Sequence, residues 1–119
     1  MISVPDQPWE QVPYGRLGRL ATNEGPEQLV NPTTGQNFVI YSAARVNTPF
    51  YCLGMLELVG NDPMQYQSWR KNKEGCAFHQ NTQAEVYGTG HASFTKSPDG
   101  TEDYVVYHAM TTPNPPCKT

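Results

Sequence analysis

Few side chains in this 119-residue chain have the type and setting for acid–base or ligand chemistry. Glu24 stands in the run Thr-Asn-Glu-Gly-Pro-Glu, residues 22–27. Gly25 and Pro26 are turn-forming types, so Glu24 is expected at the edge of a turn, either as a solvated loop charge or as a carboxyl aimed at something. Burial or a neighbouring carboxylate would keep such a carboxyl protonated near neutral pH, the condition for a general acid. His91 closes the run Gly-Thr-Gly-His, residues 88–91. An imidazole there can donate a hydrogen bond or ligate an ion. His79 follows Cys-Ala-Phe in a loop and carries no motif, and His108 sits at a strand end where polar packing is the expectation. Cys52, Cys76 and Cys117 are odd in number and show no Cys-x-x-Cys or Cys/His ligand spacing. They are expected as buried, inert thiols rather than a disulfide scaffold, and they leave the redox compartment open.

Positioning these groups falls to one small domain. A chain of this size hides roughly two thirds of its unfolded surface. Net charge is −3 and charged residues make up 16%. No basic stripe for nucleic acid and no polybasic membrane patch is present. No apolar run approaches the roughly 18 residues of a membrane span. The first ten residues hold two prolines and neither a basic nor an apolar leader region, so no signal peptide is expected in this chain. The 11 prolines and 10 glycines exceed the usual share of about 12%, which favours many turns and short strands.

The β-branched and aromatic run Gln-Asn-Phe-Val-Ile-Tyr-Ser-Ala (36–43) predicts a strand. Phe38 and Ile40 fall on one face, Val39 and Tyr41 on the other, so it should be buried on both sides. Residues 50–59 read the same way, with Gly54 as a bulge or a close contact. His91–Lys96 and Glu102–Ala109 are two more strands, joined by a Ser-Pro-Asp-Gly hairpin turn. No segment holds a helical period; at most Asp62 caps one helical turn beginning at Pro63. The class is all-β. Asn31–Ala43 also lies over Ser97–Ala109 without a gap, ending in Tyr-Ser-Ala and Tyr-His-Ala. That alignment places Glu24 within one residue of His91. Self-similarity of this kind marks propellers and solenoids, although the interval is longer than the roughly 40–50 residues of common propeller repeats. In a propeller the innermost strands of successive blades line one channel, so Glu24 and His91 should be neighbours in space.

Taken in order, Asn-Glu-Gly-Pro-Glu-Gln-Leu-Val (23–30), Phe-Val-Ile-Tyr-Ser-Ala (38–43), Tyr-Cys-Leu-Gly-Met-Leu-Glu-Leu-Val-Gly (51–60) and the stretch from Tyr87 to Ala109 resemble the later part of glycoside hydrolase family 43, nearest its α-L-arabinofuranosidase-like members. The resemblance covers nearly the whole chain. It implies a five-bladed β-propeller that hydrolyses terminal arabinofuranosyl or xylosyl linkages of plant polysaccharides with inversion. Its Glu-Gly-Pro glutamate is the general acid, which carries over to Glu24. Its Gly-x-Gly-His histidine lies on the propeller axis and often meets a calcium or sodium ion through water, which carries over to His91. No cofactor is required, and secretion is implied. Trp9 and Trp69 have faces suited to stacking on sugar, but core or rim packing is the expectation for both.

The departures matter as much. No Asp motif for the general base or for the second, tuning Asp is found; Asp6 and Asp62 stand in turn contexts. Thr89 replaces the usual Pro and Ala92 the usual Asn around His91. The chain, residues 1–119, is therefore expected to be about two blades of five, incomplete at both ends and inactive alone. Alternatives are a non-catalytic carbohydrate-binding remnant, or a truncated product whose open sheet edges invite aggregation.

Overall fold

The computed structural model describes residues 1–13 and 18–113. Cys117 and most of the Pro-rich C-terminal segment lie outside the described residues. Within them run eight strands: β1 (Gln11–Pro13), β2 (Arg19–Ala21), β3 (Asn23–Val30), β4 (Asn37–Ala43), β5 (Cys52–Leu58), β6 (Trp69–Lys71), β7 (Tyr87–Lys96) and β8 (Asp103–Met110). All pairings are antiparallel. They form a β1-β2 pair, a four-stranded β3-β4-β5-β6 meander and a β7-β8 pair. The meander has the form of one propeller blade, flanked by two-stranded parts of its neighbours.

The central blade is buried on both faces, as the double apolar pattern of β4 requires. Tyr41, Ala43, Cys52 and Leu56 form one core, joined by Ile2, Trp9, Val39, Trp69 and Cys76. Ile40, Leu53 and Ala92 form the other, joined by Leu29, Met55, Phe78 and Phe94. Full burial of one such aliphatic side chain stabilises by about 1.5–3 kcal/mol. Trp9 and Trp69 thus pack against the first core, and the Trp69 indole N–H donates to the Pro63 carbonyl at 2.9 Å. Gly54 pairs with Tyr41 in unbroken register, and a Cβ on it would lie 2.4 Å from Tyr41 Cζ. It is a close contact, not a bulge.

Beneath the first core lies an ion pair. Glu10 is fully buried, and Lys71 Nζ donates to both of its carboxylate oxygens at 2.9 Å. The Tyr41 hydroxyl donates to Glu10 Oε1 at 2.9 Å, Asn23 Nδ2 to Oε1 at 2.9 Å, and the Gln7 N–H to Oε2 at 2.9 Å. Lys71 also reaches the Val4 carbonyl at 2.5 Å and Asp6 at 3.1 Å. This network ties the N-terminal segment to strand β6.

Two expectations need correction. Cys52 and Cys76 are not free thiols: they form a disulfide, with Cα atoms 6.0 Å apart and a sequence separation of 24. Cys52 opens β5, while Cys76 lies in the connection beyond β6 that folds back on the first core, so proximity comes from tertiary packing and no local spacing signals it. Closing a loop of that length stabilises by about 3 kcal/mol in the chain-entropy description. Reduction, or Cys52→Ser with Cys76→Ser, is expected to lower unfolding free energy by about that amount, read from urea midpoints; midpoints that coincide would refute it. The second correction concerns Asp62. It caps a tight turn, accepting the Met64 N–H at 2.9 Å, and the helical turn comes later, as a single 3-10 turn over Tyr66–Ser68.

The repeat is structural as well as sequential. The β3-β4 and β7-β8 hairpins superpose in register: Glu24↔Ser42 and Glu27↔Ile40 in the first match Gly90↔His108 and Ser93↔Val106 in the second. Each gains one extra residue between those pairs, a β-bulge. Their loops close alike: the Asn31 N–H donates to the Gln36 carbonyl at 2.9 Å, and the Ser97 N–H to the Glu102 carbonyl at 2.9 Å.

Candidate active site

The Gly25-Pro26 pair is not a turn. It is the bulge of β3, inside an eight-residue strand. Proline lacks the N–H that a regular ladder needs, so a bulge suits it. Gly25 takes φ +55°, a left-handed value. The matching residue of the second hairpin is His91, whose φ is +49°. Left-handed backbone is uncommon for a residue with a side chain, and histidine is among the types enriched there. The bulge turns each chain so that Glu24 and His91 reach the same place.

They meet there. The His91 ring lies against Gly25: a Cβ on that glycine would be 3.3 Å from His91 Cε1. The Tyr51 hydroxyl donates to Glu24 Oε1 at 2.7 Å and stands 3.5 Å from His91 Nδ1. The His91 backbone N–H donates to Ser42 Oγ at 2.6 Å, which ties the two hairpins together. Tyr51 is 1% exposed, and Ser42 is buried. Its ring leaves no room for a side chain at position 90, since a Cβ on Gly90 would lie 2.2 Å from Tyr51 Cε1. His108 packs on the same ring edge-on, with centroids 6.1 Å apart. Burial, with the hydrogen bond and charge of Glu24 and against a hydrogen bond from Ser42, pushes the Tyr51 phenol up to about 12. The phenol therefore stays protonated and remains a donor across the neutral range.

The remaining candidates sit elsewhere. Asp6 pairs with Lys71, and its carboxyl is held below the ordinary range mainly by a hydrogen bond from Gln7. Asp62 caps its turn. His79 is exposed and bonds within its own loop, Nδ1 to the Gln80 carbonyl at 2.9 Å. Ala92 lies in the second core, so no polar group follows His91 into the site. The Thr89 hydroxyl is buried with no hydrogen-bond partner. Among the described residues, no group of three His, Cys, Asp or Glu side chains could hold a metal ion. Sequence reading missed Tyr51 and Ser42. Tyr51 opens one of the stretches that carry the family resemblance, but it is one of seven tyrosines and nothing in that stretch marks it as a partner of Glu24. Ser42 carried one signal, its alignment with His108 at the end of the repeated strand.

Comparison with known proteins agrees with this architecture. The family model described as glycosyl hydrolases family 43 matches residues 3–119. The chain is 41% identical over 110 residues to alpha-L-arabinofuranosidase B of Pyricularia oryzae, covering 92% of this chain and 21% of that protein. It is 38% identical to an extracellular exo-alpha-(1->5)-L-arabinofuranosidase of Streptomyces avermitilis, covering 90% of this chain and 20% of the other. The crystal structure of an alpha-L-arabinofuranosidase from Lactobacillus brevis superposes with a TM-score of 0.77 at 32% identity, covering 95% of this chain and 32% of that one. The chain thus spans about a fifth of the curated relatives and a third of the solved one. Its sheets are about two blades of a five-bladed propeller, and the chain belongs to family 43 of the glycosyl hydrolases.

Proposed function

We propose that this chain contributes the acid half of an inverting glycosidase site that cleaves terminal arabinofuranosyl or xylosyl linkages, with Glu24 as general acid. The observation that carries this is the meeting of Glu24 with His91 and the buried Tyr51 hydroxyl at the matching bulges of two neighbouring hairpins. Inversion needs a second carboxylate roughly 6.5–9.5 Å from the acid, acting on a water across the sugar ring. Asp6 pairs with Lys71, Asp62 and Asp99 cap turns, and Asp103 pairs with Lys96, so all four aspartates are committed elsewhere. The base must then come from blades beyond this chain, and these residues alone do not turn over substrate. His91 would face the sugar from the channel axis. Among the described residues, a calcium or sodium ion would find the His91 imidazole here but no group of three His, Cys, Asp or Glu side chains to chelate it. Relatives named as extracellular, and a disulfide of the kind that persists in oxidising compartments, support secretion.

The test assays the chain alone, and again after it replaces the matching segment of the Pyricularia oryzae relative. The chain alone should release nothing from aryl arabinofuranosides or xylosides. The graft should hydrolyse one of them and release sugar of inverted anomeric configuration, seen by NMR before mutarotation. Turnover by the chain alone, or retention in the graft, contradicts the reading.

A further inference from the structure

We propose that Tyr51 is a positioning residue that occupies one oxygen of the Glu24 carboxyl, Oε1, and so leaves Oε2 to carry the proton delivered to the leaving group. This rests on Glu24 being the acid.

A carboxyl has two oxygens, and a free one can present its proton on either. Here the Tyr51 O–H fills a lone pair of Oε1 at 2.7 Å. The phenol itself has little freedom. It is 1% exposed, its ring is flanked by Gly90 on one side and His108 edge-on, and it is held at the start of β5 next to the cross-linked Cys52. A donor on Oε1 disfavours a proton on that same atom, so Oε2 becomes the acid position. During cleavage the proton moves from Oε2 to the glycosidic oxygen as the bond between that oxygen and the anomeric carbon breaks. The bonding pair stays on the departing oxygen, and water adds to the anomeric carbon while losing its proton to a carboxylate base of another blade. The carboxylate left on Glu24 keeps the Tyr51 hydrogen bond, which strengthens as charge develops on it. The donor therefore stabilises the transition state more than the ground state, and it does so only when a proton is actually transferred.

Leaving-group dependence separates this from a merely structural role. In the graft, Tyr51→Phe keeps the ring and removes only the hydroxyl. Turnover of an alkyl arabinofuranoside, whose leaving oxygen needs the proton, should fall about 10- to 100-fold, the size of one hydrogen bond to a charged group. Turnover of the dinitrophenyl arabinofuranoside, whose leaving group departs unprotonated, should fall less than about threefold by the same reasoning. Equal losses on both substrates, or none on either, overturn the proposal. Glu24→Gln run beside it must show the same selectivity; if it does not, the assignment of the acid fails first and the Tyr51 role falls with it. A second measurement covers a variant that does not fold. In the full chain with 13C-labelled tyrosine, the Tyr51 phenol should ionise near 12, and at a lower pH in Glu24→Gln, where burial still raises it but the carboxylate no longer does. Ionisation near 10 in the native chain, or no response to Glu24→Gln, refutes the coupling.

Discussion

Glu24→Gln in the grafted enzyme is expected to cut turnover of alkyl arabinofuranosides by about 1,000-fold, within the span that general acid catalysis supplies. The substitution is nearly isosteric. The amide oxygen can still accept the Tyr51 hydroxyl, so the bulge of β3 and the packing on Gly25 should survive. What disappears is the transferable proton. Without it, an alkoxide must leave the anomeric carbon uncompensated, and the loss should shrink steadily as the leaving group becomes more acidic. A thermal melt of the variant should match the parent, which separates lost chemistry from lost fold. A loss of less than about tenfold on the alkyl substrate would place the acid elsewhere, since a positioned acid contributes at least a hundredfold.

Lys71→Met is expected to lower the unfolding free energy of the chain by about 3–5 kcal/mol, the cost of stranding one partner of a buried ion pair. Glu10 is 0% exposed and the Lys71 side chain 8%. Removing the ammonium leaves a carboxylate with only neutral donors: the Tyr41 hydroxyl, the Asn23 amide and the Gln7 N–H. These three donors favour the lower end of the range. The loss would show in urea or thermal unfolding, followed by the near-ultraviolet signal of Trp9 and Trp69 in the adjoining core. The double variant Glu10→Gln with Lys71→Met should regain part of it, because the buried charge goes with its partner. A Lys71→Met chain within 1 kcal/mol of the parent, a threshold well under the expected penalty, would show the pair to be solvated and incidental. The effect should also reach Asn23, which is hydrogen-bonded to Glu10 and immediately precedes Glu24.

What was legible in the sequence was local or repeated. The lack of polar alternation along β4 gave burial on both faces, because period-two patterning records which side of a strand is wet. The hairpin turn at Ser97 announced itself through its Ser-Pro-Asp-Gly residue types. The match between the two hairpins placed Glu24 beside His91, because equal folds in successive blades present equal positions to one axis. What escaped notice depends on contacts between distant segments. Cys52 and Cys76 meet only after the chain beyond β6 folds back. Glu10 reads as an ordinary acidic residue near the N-terminus, and its burial follows from Lys71, 61 residues later. Gly25-Pro26 read as a turn because the two residue types are shared by turns and bulges, and only pairing with β4 separates those outcomes.

The doubled bulge has a consequence for how such a site changes over time. One backbone distortion, copied from blade to blade, delivers a carboxylate from the residue just before it in one copy and an imidazole from within it in the next. New chemistry at the axis then requires no new scaffold, only a different residue at a place the architecture has already reserved. Substrate preference can drift by single replacements on each copy, while the shared distortion stays under selection for shape alone.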